Sequence, residues 1–95
     1  MINFYVTYTL KDRAAREGFY EEIKACGVIE KSLAEEGCLR YAYYYPADRE
    51  NQIFLWEQWE SRQAQQRHQE QPHFRALGDI KTKYRAETEL LIEEC

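Results

Sequence analysis

The stretch that decides the fold spans residues 38–59 and has the sequence CLRYAYYYPADRENQIFLWEQW. Two runs rich in aromatic and β-branched residues, 38–45 and 52–59, flank a polar segment that contains Pro46 and Asn51. This pattern predicts a β-hairpin. Both alternating faces of both runs are large and mostly apolar, so we expect the sheet to be covered on both sides.

Two helical segments separated by a proline are predicted after the hairpin. Ser61 is a good N-cap for a polar helix over residues 62–71, in which Ala64 and His68 form the inner edge. Pro72 is typical of the first position of a new helix. The inward positions of that second piece recur at helical steps and are His73, Leu77, Ile80 and Tyr84.

Strands are predicted at both ends of the chain, and one long helix before the hairpin. Residues 2–10 and 86–95 alternate in hydrophobicity with a period of two. Asp12 can cap an amphipathic helix over 13–36, which Gly27 weakens and Gly37 ends. In the last strand, Thr88, Leu90 and Ile92 share one face and Glu87, Glu89 and Glu93 share the other.

The resulting order, β-α-β-β-α-β, predicts an α+β fold with a four-stranded antiparallel sheet and both helices on one face. Its length of 95 residues suits a single domain, residues 1–95. The other sheet face is apolar and uncovered in this arrangement. We therefore expect a homodimer that pairs these open faces.

Composition excludes several classes of protein. Hydrophobic residues at 44% and charged residues at 32% are typical of a soluble globular chain. The first residues lack the features of a signal peptide, and no apolar run is long enough for a membrane helix, so we expect a cytoplasmic protein. The net charge of −4 gives no basic surface for nucleic acid or membranes. Three cysteines without CxxC spacing argue against disulfides and structural zinc.

Three short motifs resemble the antibiotic biosynthesis monooxygenase family, also called putative quinol monooxygenases. They are EEGCLRY at 35–41, LWEQWES at 55–61, and His68 followed by QPHF at 71–74. The resemblance covers nearly the whole chain. It implies a ferredoxin-like unit that forms a dimeric α+β barrel. It also implies oxidation of a small quinol or hydroxylated aromatic by O2, with no cofactor.

The resemblance also suggests site residues. Trp59 falls on a tryptophan shared by polyketide oxygenases and haem degraders. Leu55 replaces an asparagine of the polyketide oxygenases. Thr7 and Gly78 stand where haem degraders have an asparagine and a histidine, so a haem ligand is missing. The set that persists resembles quinol oxidases and comprises Tyr41, Glu57, Trp59, His68, His73 and Phe74.

Chemistry assigns roles within this set. His68 projects inward from a polar helix, and a neutral imidazole can accept a phenolic proton. Glu57 shares a strand face with Leu55 and Trp59, so if it is buried its carboxylate must be paired or protonated, with His68 or His73 as partner. We expect His68, Glu57 and His73 to be catalytic. Packing or capping roles are the structural alternatives.

The same residues indicate a substrate pocket but no metal site. We expect the substrate to contact Trp59, Phe74, Tyr41, Thr7 and Leu55, although the stripe of Tyr41, Tyr43 and Tyr45 also suits a core or an interface. His68 and His73 are five residues apart across a proline. This spacing does not place both rings on one helix face, so no metal site is expected.

Two other functions remain open from the sequence. One is an O2-independent isomerase or lyase that acts on a small polar carbonyl compound. If that compound is phosphorylated, the pocket would need inward-facing cations, for which Arg40, Arg67 and Arg75 are the candidates. The other is a non-catalytic dimeric domain that binds a small ligand.

Overall fold

A four-stranded antiparallel sheet with the strand order β2-β3-β1-β4 forms the centre of the molecule. The computed structural model describes residues 1–95. Its elements are β1 (Ile2–Thr9), α1 (Arg13–Ala25), α2 (Val28–Leu33), β2 (Cys38–Tyr44), β3 (Gln52–Trp59), α3 (Arg62–His68), α4 (Pro72–Tyr84) and β4 (Glu87–Glu94). The predicted ferredoxin-like α+β fold is confirmed.

Local signals in the sequence set most helix ends. The side chains of Asp12 and Ser61 accept backbone hydrogen bonds from Ala15 and Ala64 and so cap α1 and α3, as predicted. The single helix predicted over residues 13–36 is wrong. It is divided at Gly27, whose φ of 74° lies in the left-handed region that a helix does not continue through.

A β-bulge changes which side chains of β2 face the helices. Cys38 pairs with Trp59 and Tyr41 with Glu57, and the register shifts between Cys38 and Arg40. The extra residue, Leu39, is 48% exposed. Strict alternation along the predicted strand would place Leu39 on the same face as Tyr41, but alternation fails at a bulge, so Leu39 is exposed whereas Tyr41 is buried.

The core lies between one sheet face and the helices. Its completely buried members include Phe19, Ile23, Ile53, Leu55 and Trp59. The helices cover only one face, so the expectation of a sheet covered on both sides is not met within the chain. None of the helices is long and apolar enough to cross a membrane.

The open face carries a connected set of aromatic rings. Tyr5 stacks on Phe54 with 6.2 Å between ring centroids and also packs against Trp56. Arg40 lies over the Trp56 ring at 4.3 Å. Leu91, which pairs with Tyr5, is 65% exposed. This face combines apolar area with exposure to solvent.

Candidate active site

Three separate segments bring a carboxylate and two imidazoles together. Glu35 lies in the turn between α2 and β2, His68 is the last residue of α3, and His73 is in the first turn of α4. Oε2 of Glu35 is 2.6 Å from Nδ1 of His68 and 2.6 Å from Nε2 of His73. His68 is 1% exposed and His73 8%. The cluster is therefore a buried hydrogen-bonded unit.

The two histidines converge although they lie on different helices. Their ring centroids are 5.7 Å apart. The inference that their spacing prevents a shared site does not hold, because Pro72 begins a new helix instead of continuing α3. Both rings can therefore reach the same oxygen of Glu35.

Glu35 fixes the tautomers of both rings. An ionised carboxylate only accepts hydrogen bonds, so Nδ1–H of His68 and Nε2–H of His73 are the donors. Nε2 of His68 then carries the lone pair. Burial lowers the pKa of His68, and the hydrogen bond to Glu35 only partly offsets this, so the neutral ring is favoured.

Glu57 is the buried carboxylate on the other side of His68. It is 7% exposed, and the indole Nε1–H of Trp59 donates to its Oε1 at 3.1 Å. Nε2 of His68 is 4.0 Å from the same oxygen, which is longer than a hydrogen bond. Burial raises the pKa of Glu57 to about 7, although the Trp59 hydrogen bond acts in the opposite direction. Glu57 therefore exchanges a proton readily near neutral pH.

Glu57 also lines a small cavity between the sheet and helices α3 and α4. The cavity has a volume of about 160 Å³. Its apolar wall consists of Phe4, Val6, Tyr8, Phe74 and Leu90, and its polar wall of Glu57, Gln65, Gln69, Lys81 and Thr88. Larger hollows of about 530 and 480 Å³ occur elsewhere, but their walls contain neither a histidine nor a buried carboxylate.

The predicted site residues fall into three groups. Glu57 and Phe74 line the cavity. His68 and His73 lie behind it, with the His68 ring 5.3 Å from Phe74 and 4.7 Å from Trp59 between centroids. The structure thus brings together the predicted catalytic set and all three of the predicted aromatic residues, since the Tyr41 ring also lies 5.7 Å from that of His68.

Four of the five predicted substrate contacts do not line the cavity, and one of them is Trp59, which is fully buried. Tyr41 and Leu55 are buried in the core, at 2% and 0% exposure. Thr7 pairs with Phe54 and so faces the open side of the sheet. These positions suit packing or an interface better than direct contact with a ligand in this cavity.

The buried tyrosines remain protonated. Burial raises the pKa of Tyr41 and of Tyr43 well above 10, and their hydroxyl oxygens are 3.4 Å apart. A phenolate relay through this stripe is therefore disfavoured at neutral pH.

Sequence reasoning missed Glu35 and Lys81. Glu35 belongs to the EEGC motif, and its position just before Gly37 marks a chain reversal, but its histidine partners are 33 and 38 residues away. Lys81 is the cation on the cavity wall, whereas Arg40, Arg67 and Arg75 do not line it.

Gly37 places the Glu35 turn against the start of α3. Its φ is 88°, and its carbonyl accepts a hydrogen bond from the backbone N–H of Glu60 at 2.8 Å. A Cβ at this position would lie 2.7 Å from the Cβ of Ala64. Only glycine permits this close approach.

The fold and the site together define a ferredoxin-like α+β domain with a small pocket that contains one buried carboxylate. The family described as antibiotic biosynthesis monooxygenase matches residues 5–79. The chain belongs to this family, and the resemblance seen in its motifs is confirmed.

Solved structures agree with this assignment. A Bacteroides thetaiotaomicron protein of unknown function, described as a possible oxidoreductase, has a TM-score of 0.87 and 26% identity, over 99% of this chain and 96% of that one. A putative antibiotic biosynthesis monooxygenase from Nitrosomonas europaea has a TM-score of 0.87 and 22% identity, over 100% and 98%. A putative antibiotic biosynthesis monooxygenase from Deinococcus radiodurans has a TM-score of 0.86 and 16% identity, over 100% of this chain and 92% of that one. No curated protein matches the chain.

Proposed function

We propose that this protein is a cofactor-independent monooxygenase that oxidises a small quinol or hydroxylated aromatic with O2. The observation that carries the proposal is the position of Glu57. It is a buried carboxylate with a pKa near 7, on the wall of a cavity that is otherwise mainly aromatic and aliphatic. Such a group can deprotonate a phenol that is held against the rings of Tyr8 and Phe74.

The size of the cavity favours a single-ring substrate. An engineered apolar cavity of about 150 Å³ binds benzene, and the cavity here is about 160 Å³. A hydroquinone matches this volume, whereas a three-ring anthrone exceeds it. The polar wall of Gln65, Gln69 and Thr88 supplies hydrogen-bond partners for ring hydroxyls.

The first step removes a proton. Glu57 accepts it from a substrate hydroxyl, and the cation of Lys81 on the same wall stabilises the phenolate. His68 lies directly behind Glu57, with its Nε2 lone pair facing the carboxylate. We therefore assign the role of base to Glu57 and a supporting role to His68, since His68 is 1% exposed and does not line the cavity.

The remaining steps use the substrate as the source of electrons. The phenolate passes one electron to O2, and the resulting aryloxyl radical and superoxide combine at a ring carbon. Glu57 returns its proton to the peroxide. Cleavage of the O–O bond, with loss of the C–H proton, leaves one oxygen atom as a new carbonyl and releases the other as water. A hydroquinone thus gives a hydroxyquinone and one water.

A homodimer through the open sheet face is part of the proposal. The aromatic set around Tyr5, Phe54 and Trp56, together with exposed Leu91, offers an apolar surface without a cover in the chain. A second copy of the same face is the simplest complement, because two-fold pairing makes such a patch self-complementary.

Oxygen uptake by chelator-treated protein tests the activity. Hydroquinones, dihydroxynaphthalenes and anthrones are compared with enzyme-free blanks, because these compounds autoxidise. We expect uptake above the blank with single-ring substrates and a loss of at least 100-fold in Glu57→Gln. Glu60→Gln, an exposed carboxylate three residues further on, is the matched control. Uptake that equals the blank throughout, or that survives Glu57→Gln, would contradict the proposal.

A further inference from the structure

We propose that Glu35, His68 and His73 form a binding site for one divalent transition-metal ion of the Zn²⁺, Co²⁺ or Fe²⁺ type. Oε2 of Glu35, Nδ1 of His68 and Nε2 of His73 all lie within 4.8 Å of one another. The three residues come from three different segments, so their convergence is a product of the fold and not of local sequence.

The donor set has the chemistry of a metal centre. Two imidazole nitrogens and one carboxylate oxygen form a set that binds Zn²⁺, with open positions left, and the same set binds Fe²⁺ in oxygenases. The side chains of His68, His73 and Glu35 are 1%, 7% and 12% exposed. Few water molecules therefore compete for these ligand atoms.

A polar atom already occupies the position between the two ring nitrogens that a metal ion would take. Oε2 of Glu35 now lies between the two nitrogens, 2.6 Å from each. A metal ion needs 2.0–2.1 Å to each nitrogen. The ion would take the place of the shared oxygen, and the carboxylate would withdraw to bind it from the side. Glu35 lies in a turn outside α2, where such an adjustment is smallest in cost.

Glu57 supplies an independent argument, because it completes the outer layer of such a site. A histidine that binds metal usually donates its other ring N–H to a carboxylate. With Nδ1 of His68 on the metal, Nε2 carries the hydrogen, and Oε1 of Glu57 is the acceptor that it faces, 4.0 Å away. The carboxylate and the histidine are therefore already in sequence, and a closure of the 4.0 Å gap to hydrogen-bond distance on metal binding would complete the order carboxylate, histidine, metal.

Metal binding would change the hydrogen-bonding role of Nε2 of His68, the ring nitrogen that faces Glu57. In the metal-free protein Nε2 is an acceptor, whereas in the metal-bound protein it is a donor to Glu57. The site therefore connects metal occupancy to the group that lines the cavity. This connection distinguishes the proposal from a metal ion that merely supports the fold.

Binding of Co²⁺ and Zn²⁺ to the purified chain, produced without a histidine tag, tests the site. The chain has two histidines, and both belong to the cluster, so their NMR signals report on it directly. We expect one ion per chain, visible Co²⁺ absorption bands, and ¹⁵N shifts at Nδ1 of His68 and Nε2 of His73. Zn²⁺ should raise the melting temperature.

Variants separate the site from other ligands. His73→Asn and Glu35→Gln should each weaken binding at least 10-fold, and Glu57→Gln should weaken it about 10-fold through the outer layer. A variant with all three cysteines changed to serine should bind like the wild type, since Cys26 and Cys95 are exposed and Cys38 is not in the cluster. Circular dichroism of each metal-free variant checks that it folds.

The outcomes decide the proposal clearly. Absence of binding at 100 µM free metal, binding that persists in folded His73→Asn, or binding that disappears with the cysteines would overturn it. None of these measurements uses a substrate. Failure of the metal site therefore leaves the oxygen-uptake experiment on chelator-treated protein unaffected, and failure of that experiment leaves the metal site unaffected.

Discussion

Oε1 of Glu57 and Nε2 of His68 lie 4.0 Å apart, and each of these two groups is shifted toward its neutral form. Burial raises the pKa of Glu57 and lowers the pKa of His68. Around pH 7 Glu57 is therefore about half protonated beside a neutral His68, and the two groups do not form a permanent ion pair. This arrangement keeps the proton of Glu57 available near neutral pH, because neutral His68 does not hold the carboxylate in its charged form and the positive charge of Lys81 only partly offsets the effect of burial.

The pH dependence of activity follows from Glu57. Oxidation requires its carboxylate form, so kcat/KM, corrected for autoxidation, should rise with pH through about 7 and then level off. Glu60→Gln should keep this profile. A profile with its midpoint near 4.5, the ordinary value of a glutamate, would contradict a base whose pKa is raised by burial.

The stability of the protein should also depend on Glu57. Its pKa is about 7 in the folded state, whereas a glutamate exposed in the unfolded chain has the ordinary pKa of 4.5, so the folded state binds more protons between these values. Stability should therefore fall as pH rises from 4.5 to 7, by on the order of 3 kcal/mol. Urea unfolding at pH 5 and pH 8 measures this change.

Glu57→Gln provides the matched comparison for that measurement. The variant has no titratable group at this position, so its loss of stability between pH 5 and pH 8 should be smaller than that of the wild type. Equal losses in the two proteins would place the titrating group elsewhere.

Two glycines should respond to alanine with opposite signs. Gly27 has a φ of 74°, where an alanine is strained, so Gly27→Ala should destabilise the fold by about 1 kcal/mol. Gly78 lies within α4, and a Cβ there would meet nothing within 4 Å. Gly78→Ala should stabilise by about 0.5–1 kcal/mol. Thermal unfolding of both variants checks this difference, and equal signs would contradict it.

A charge on the open sheet face should break the proposed dimer. Leu91→Glu places a carboxylate on the exposed edge strand of this face, opposite Tyr5, and we expect the dimer dissociation constant to rise at least 10-fold in analytical ultracentrifugation. Leu33, in α2, is 49% exposed and serves as the control through Leu33→Glu. A monomeric wild type, or an equal effect of both variants, would rule out this interface.

The sequence predicted those elements whose signals are local. The hairpin strand Gln52–Trp59 has the predicted bounds. Pro72 begins α4 as predicted, because its fixed φ and its lack of an N–H suit the first position of a helix. The β-bulge at Leu39 was not foreseen, because alternation alone carries no mark of an extra residue. The division at Gly27 was foreseen only as a weakness of the helix.

The site was predicted in its parts but not in its assembly. Glu57, His68, His73 and Phe74 were identified from the resemblance of their motifs to the family, and residue type suggested roles for the first three. The role of Glu35 could not be, because it depends on contacts across 33 and 38 residues of chain. The predicted partner of Glu57 was a histidine, but in the structure the carboxylate accepts a hydrogen bond from Trp59. Which of its neighbours it bonds to also depends on the assembled fold.

The arrangement of the cluster depends on the lack of a side chain at Gly37. A methyl group at this position meets the side chain of Ala64 at 2.7 Å and would push the loop that carries Glu35 away from the helix that ends at His68. Such a lesion would leave all three residues of the cluster chemically intact and yet separate them. The distance between the carboxylate of Glu35 and the two imidazoles is thus set by a residue that takes no part in the cluster, the glycine two positions after Glu35.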